Sequence, residues 1–119
     1  MDATAEQRSL LAEGQVAFNR GQFFEAHELW EDAWRTLAGS ERLAVQGLIQ
    51  IAAGLHHLQN GRRRPAARLL AKGIDKLSRG VLPAPPQLSA ASLAREVSIV
   101  LKALAGPDVA EPDIDHLKL

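Results

Sequence analysis

The chain has no cysteine and no tyrosine, and its aromatic residues are limited to two tryptophans and three phenylalanines. The absence of cysteine excludes disulfides, thiolate metal sites and cysteine nucleophiles. No apolar run approaches the roughly 18 residues that a membrane span needs, and the polar first residues show no targeting segment. We therefore expect a cytoplasmic protein without a membrane partner.

The chain also lacks net charge, because 14 Lys and Arg balance 14 Asp and Glu. The charges are nevertheless separated, since residues 1–41 hold eight acids and three bases, whereas residues 42–79 hold eight bases and one acid. Four of these bases, at positions 64, 68, 72 and 76, form a stripe along one helix. We predict a solvated basic face that pairs with the acidic second helix or with a partner subunit, and consider nucleic-acid binding unlikely.

Alanine (20) and leucine (18) far outnumber valine, isoleucine and threonine together (13), which favours helices over strands. The apolar periodicity predicts an all-α fold of about five helices, at residues 4–18, 22–37, 41–58, 63–78 and 89–105. Thr4 and Gln7 have capping-box spacing, and Ser40 is the predicted cap of the third helix.

We expect residues 1–106 to form a single helical-bundle domain, in which a proline-rich connector at 80–86 precedes the fifth helix. Residues 107–119 then form an acidic C-terminal tail. This tail is predicted to pack loosely, although Ile114, Leu117 and Leu119 offer apolar side chains for docking.

The first four helices resemble one helical hairpin used twice. A shift of 40 residues superposes small residues on small ones and large apolar residues on large apolar ones. The matched pairs include Leu11/Ile51, Gly14/Gly54, Phe18/Leu58, Gly21/Gly61, Ala26/Ala66, Trp30/Leu70 and Leu37/Leu77. Small residues in this spacing are similar to a tetratricopeptide hairpin, so we predict two stacked hairpins covered by the fifth helix. Chance matching in a chain rich in alanine and leucine is the alternative.

The second helix contains His27 on its apolar face. At 100° per residue this face is shared with Phe23, Trp30, Trp34 and Leu37. An adjoining polar ridge holds Glu28, Glu31 and Arg35, and Glu31 lies one turn beyond His27, within side-chain reach.

The third helix has a matching polar face, formed by Leu43, Gln46, Gly47, Gln50, Gly54 and His57. If the second and third helices are antiparallel, His27 and Glu31 face Gln50 and His57. Glycine on such a face indicates that another group approaches the backbone closely.

Three interpretations of this cluster stay open. His27, Glu31 and His57 are a sufficient set of ligands for Zn²⁺ or another divalent metal, and Glu28 would then be the base for a metal-bound water. Without a metal, the cluster is a ligand pocket or a general base beside a carboxylate. Third, it is a structural hydrogen-bond network. The motif is not the zincin His-Glu-x-x-His, because Glu31 stands at the second histidine position.

The stretch from Phe18 to Glu28, with Glu31, Trp34 and Arg35 after it, resembles the first signature of an uncharacterised prokaryotic family, domain of unknown function 309. Residues 46–52, then His57 and Asn60-Gly61, are similar to its second signature. The resemblance covers about residues 8–78 and implies a small all-helical domain, and members are sometimes labelled predicted metal-dependent hydrolases. The family's characteristic residues fall on Asn19, Gly21, Phe24, Glu25, His27, Glu28, Glu31, Trp34, Arg35, Gln46, Gly47, Gln50, His57 and Gly61. This chain departs from the family pattern at residues 62–65.

We therefore expect a helical protein whose polar pocket binds a small ligand or a divalent metal. The predicted pocket residues are Glu25, His27, Glu31, Trp34, Arg35, Gln46, Gln50 and His57. The alternative is a non-enzymatic helical-hairpin interaction module or a homo-oligomer, and whether the protein is an enzyme stays open.

Overall fold

The computed structural model describes residues 3–83, 90–106 and 112–119. These ranges contain five α-helices and no strand. The helices are α1 (Ala5–Asn19), α2 (Phe23–Trp34), α3 (Gly39–Gln59), α4 (Arg63–Arg79) and α5 (Ala90–Ala105). The predicted all-α fold is confirmed. Ser89, residues 84–86 of the connector and residues 107–111 of the tail lie outside the described ranges.

Of the two predicted helix caps, one is confirmed and one is wrong. The predicted capping box of α1 is confirmed, because the backbone N–H of Thr4 donates to Gln7 Oε1 at 2.7 Å and that of Gln7 donates to Thr4 Oγ1 at 3.1 Å. The prediction for α3 is wrong. This helix begins at Gly39 with Ala38 as its N-cap and has no side-chain cap, so Ser40 lies within the first turn.

The second helix ends three residues earlier than predicted, at Trp34. Its last turn tightens, since the N–H groups of Thr36 and Leu37 donate to carbonyls only three residues back, Ala33 and Trp34. Leu37 is still buried, but as part of the connection to α3.

The two hairpins place their matched residues in equivalent surroundings. A side chain at Gly14 would meet the Trp30 ring, and a side chain at Gly54 would meet Leu70, its counterpart 40 residues on. Both turn glycines, at positions 21 and 61, have a positive φ, of 76° and 74°. Trp30, on the predicted apolar face of α2, is fully buried, and its Nε1–H donates to the carbonyl of Leu11 at 3.1 Å.

Each helix packs chiefly on its neighbours in the chain, which gives an elongated array of 46 × 24 × 21 Å. The α3–α4 contact is the most extensive. There the backbones approach closely, because a Cβ built at Gly47 would lie 2.6 Å from Leu77 N and one built at Gly73 would lie 2.8 Å from Gly47 O. The close approach predicted for the α3 glycines is thus made by α4.

Residues 112–119 dock onto the helices, contrary to the loose packing predicted for the tail. Ile114, Leu117 and Leu119 are buried. Gln15 Nε2 donates to the Leu119 carbonyl at 2.7 Å, and Leu119 N–H donates to Asn19 Oδ1 at 2.8 Å. His116 Nε2 lies 3.2 Å from a carboxylate oxygen of Glu96. This segment therefore joins α5 to α1.

The basic face of α4 is solvated, as predicted, but it does not pair with α2. Arg64, Arg68 and Lys72 are exposed and form no ion pair within the described ranges. The helix α3 packs between α2 and α4 and keeps the two charged faces apart. None of the five helices combines the length and apolar character that crossing a membrane requires.

The α3–α4 contact predicts a strong penalty for added side chains. We expect Gly47→Ala and Gly73→Ala each to lower the free energy of unfolding by about 1–3 kcal/mol, because the new methyl groups meet backbone atoms. Gly106→Ala is the matched control, since its Cβ would find its nearest atom at 3.7 Å, and we expect a change below about 0.5 kcal/mol. Urea denaturation measures all three. Equal stability of the Gly47 and Gly106 variants would contradict the close approach.

Candidate functional site

His27 lies at the edge of the buried face of α2, so the prediction that it sits inside the apolar stripe is wrong. Phe23 and Trp30 are 2% and 0% exposed, whereas the His27 side chain is 27% exposed. The buried face is centred on Ala26, Trp30 and Ala33, and His27 is rotated by about 100° from Ala26. This rotation turns the imidazole toward the groove between α2 and α3.

The His27 imidazole is held by Glu31. Its Nε2 lies 3.3 Å from Glu31 Oε2, and the other Glu31 oxygen accepts from Arg35, also at 3.3 Å. In its neutral form His27 therefore donates from Nε2 and presents Nδ1 as an acceptor. His27 Nδ1 is buried and has no hydrogen-bond partner among the residues described. The first hairpin thus holds an oriented imidazole with one unused acceptor.

In His57 it is Nδ1 that has a hydrogen-bond partner, and Nε2 is left for other contacts. The turn after α3 returns Arg62 to the helix end, where its backbone N–H donates to the His57 carbonyl at 2.9 Å. The Arg62 side chain donates from Nε to His57 Nδ1 at 2.8 Å, so the neutral ring has its proton on Nε2. Burial, followed by the positive charges of Arg62, His56 and Arg68, holds the pKa of His57 below its ordinary value.

Both histidines line one cleft of about 320 Å³, which we name the histidine cleft. Its walls are Phe24, His27, Ala53, His56, His57 and Arg62. Phe24 is 49% exposed, and its ring centroid lies 5.8 Å from that of His27 and 5.2 Å from that of His56. The cleft therefore combines an aromatic wall, an apolar floor and a guanidinium.

A second cleft of about 320 Å³ lies along the same two helices and is lined by Glu31, Trp34, Gln46, Ile49 and Gln50. The Arg42 guanidinium lies 4.0 Å from the Trp34 ring centroid, and Lys76 Nζ donates to Gln50 Oε1 at 3.1 Å. Trp34 Nε1 is buried without a partner in the described part of the chain. A smaller cleft of about 140 Å³ is formed by His27, Glu28, Glu31, Asp32 and Arg35.

The predicted site residues are thus distributed over three adjoining clefts. His27 and His57 share the histidine cleft, and Glu31, Trp34, Gln46 and Gln50 share the second. Glu28 and Arg35 border the smallest one, and Glu25 is exposed and lines none of the three. In the described ranges no group of three or more His, Asp or Glu side chains is placed to hold a metal ion, so the predicted ligands His27, Glu31 and His57 do not form such a set.

The structure also adds residues that the sequence analysis did not place at the site, namely Phe24, Ala53, His56 and Arg62. In the sequence, Arg62 directly precedes the basic helix α4. A signal for its position exists in the sequence, because Asn60-Gly61 after a helix predicts a turn in which Gly61 takes a positive φ and the next N–H bonds back to the helix. That turn places Arg62 above His57.

These observations define an all-α protein with five helices in its described ranges and with polar side chains gathered between α2 and α3. Residues 11–69 match the family described as "Domain of unknown function (DUF309)", and this segment includes every residue of the three clefts. The chain belongs to this family through about half of its length, and the resemblance in its sequence is confirmed.

A relative from Aquifex aeolicus (strain VF5), named "Uncharacterized protein", is 31% identical over 71 residues. The match covers 59% of this chain and 21% of the relative, so the chain spans about a fifth of that protein's length. No solved structure matches the chain.

The lowered pKa of His57 predicts a loss of stability on acidification. Above the ordinary histidine pKa of about 6.5 both folded and unfolded chains hold a neutral ring, and this residue adds no pH dependence. Below that value the unfolded chain binds the proton first, so the free energy of unfolding falls. We expect urea denaturation from about pH 8 to about pH 5 to show a smaller fall in His57→Gln than in the wild type. Parallel pH profiles would contradict the assignment.

Proposed function

We propose that the histidine cleft binds a small polar ligand and that His27 is the residue that receives it. The observation behind this proposal is the hydrogen bonding of the two imidazole nitrogens of His27. Nε2 is held by Glu31 at 3.3 Å, while Nδ1 is buried and has no partner among the described residues. A buried acceptor without a partner costs free energy, and a ligand that donates to Nδ1 removes that cost.

The hairpin repeat supports a functional role for these side chains. The positions 40 residues from His27, Glu31 and His57 are occupied by Ala67, Ala71 and Ala17. Both hairpins have the same burial pattern at their matched apolar positions, so each hairpin position held by His27, Glu31 or His57 is filled by alanine in the other copy. Packing of the hairpin therefore does not require the two histidines or Glu31.

The two imidazoles suit a ligand group that both donates and accepts hydrogen bonds. His27 offers an acceptor at Nδ1, and neutral His57 offers a donor at Nε2, because Arg62 occupies its Nδ1. The His27–Glu31 pair also has the connectivity of a general base oriented by a carboxylate. Proton removal from a bound hydroxyl or water by Nδ1 is the chemistry that this pair supports. The catalytic role of Glu28 stays a prediction.

His27→Ala separates a ligand-binding role from a structural one. We expect the melting temperature to change little, because a part-exposed ion pair one helical turn apart contributes only about 0.3–0.5 kcal/mol. We expect chemical-shift changes produced by a mixed fragment collection to lie around His27 in the wild type and to vanish in the variant, as measured by ¹H–¹⁵N spectra.

His116→Ala is the matched control, since His116 also pairs with a glutamate, Glu96, at 3.2 Å but lies on the docked tail. The fragment shifts should persist in this variant. A large loss of stability in His27→Ala would assign the residue to the structural framework, and the absence of any fragment shift near His27 in the wild type would contradict ligand binding.

A further inference from the structure

Among the described residues, no acidic side chain lines the histidine cleft. Its polar groups are the three imidazoles of His27, His56 and His57 and the guanidinium of Arg62. Glu31 lies behind His27, where it is shared with Arg35 and faces the other two clefts. A ligand in this cleft therefore meets a positive charge and hydrogen-bond donors, and no described carboxylate lines the cleft.

The Arg62 side chain is oriented by one hydrogen bond, and its two terminal Nη groups face away from that bond. Its Nε donates to His57 Nδ1 at 2.8 Å, which fixes one side of the planar guanidinium. Its terminal Nη groups form no hydrogen bond or ion pair within the described ranges. Two parallel N–H groups in this fork geometry match the two oxygens of a carboxylate.

The start of α4 adds to the positive potential. This helix follows directly on Arg62, its first turn contains no acidic residue and no side chain caps its N-terminus. Aspartate and glutamate are the residues that usually balance the positive end of the helix dipole. Asp75, the single acid of α4, pairs instead with Arg79 at the far end. Within the described residues, α4 therefore supplies no acidic side chain at this end of the cleft.

Together with burial, the same positive potential lowers the pKa of His57. Besides burial, the charges of Arg62, His56 and Arg68 are what lower the pKa of this ring. A bound anion beside the ring opposes those charges and raises the pKa again.

We infer that the ligand of the histidine cleft is a small organic carboxylate that also carries a hydroxyl or N–H group. The Arg62 fork holds the carboxylate, the hydroxyl or N–H group donates to His27 Nδ1, and the apolar body lies against Phe24 and Ala53. This inference rests on the proposed function and names the chemical class of the ligand. The volume of about 320 Å³ and the half-exposed Phe24 ring fit a body of one small ring or a short aliphatic chain.

Four probes that share a phenyl ring and differ in their polar group test the chemical class of the ligand: benzoate, benzamide, benzamidine and phenyl phosphate. Titrations of the full chain followed by ¹H–¹⁵N spectra should show benzoate binding at the cleft at least about tenfold more tightly than benzamide, because one charge-assisted bidentate contact is lost with the amide. Benzamidine should not bind there. Saturation with benzoate should raise the pKa of His57, as read from its ring C–H signals.

Arg62→Gln should weaken benzoate binding at least about tenfold, and Arg62→Lys should restore only part of it, because lysine keeps the charge but lacks the fork. Arg64→Gln is the matched control. It removes the same charge from the same helix end at an exposed side chain outside the cleft, and benzoate affinity should stay within about twofold.

The outcomes distinguish this inference from the proposed function. Binding of benzamide or benzamidine at the cleft without benzoate would overturn the carboxylate class and leave ligand binding at His27 intact. Preference for phenyl phosphate over benzoate would replace the carboxylate with a phosphate. An unchanged His57 pKa at saturation, or equal losses in the Arg62→Gln and Arg64→Gln variants, would also overturn it. If no compound of the fragment collection binds near His27, the proposed function itself fails.

Discussion

The structure depends on the direct backbone contact between α3 and α4. Gly47 and Gly73 let the two helices approach until any added methyl group would meet main-chain atoms, and this contact fixes the rotation of α3 about its axis. With the glycine side of α3 against α4, the adjoining stripe of Gln46, Gln50 and His57 is left beside α2. The positions of the clefts therefore follow from a packing contact on the adjoining side of α3.

The two hairpins share their apolar core positions but differ at the polar positions of the site. Matched pairs such as Trp30 and Leu70 fill equivalent places in the two hairpins, so the apolar core is the part that repeats. The polar groups occur where the two copies differ. In a protein with a repeated unit, a position that is alanine in one copy and histidine or glutamate in the other is not needed for packing, and its polar side chain is available for chemistry.

The sequence predicted the helices better than the site. Glycine and asparagine mark the turns, and alanine and leucine fill the helices, so element number and type follow from local preference. Ser40 was wrongly chosen as a cap because the start of α3 is set by the extended backbone of Ala38. A helical wheel could not show that His27 lies at an edge, since the centre of the buried arc depends on how α1 and α3 pack. The position of Arg62 beside His57 could have been predicted from the Asn60-Gly61 turn, but only by working out where that turn directs the chain after α3.

The packing of each helix on its chain neighbours has a consequence for how the protein folds. Contacts between consecutive helices close short loops, which is the topology associated with fast folding. Such an array can also gain or lose stability one unit at a time from its ends. The docked tail opposes this, because the bond between Leu119 and Asn19 joins residues 100 positions apart. By tying α1 to the far end of the sequence, the last residues couple the two ends of the array and favour its unfolding as one cooperative unit.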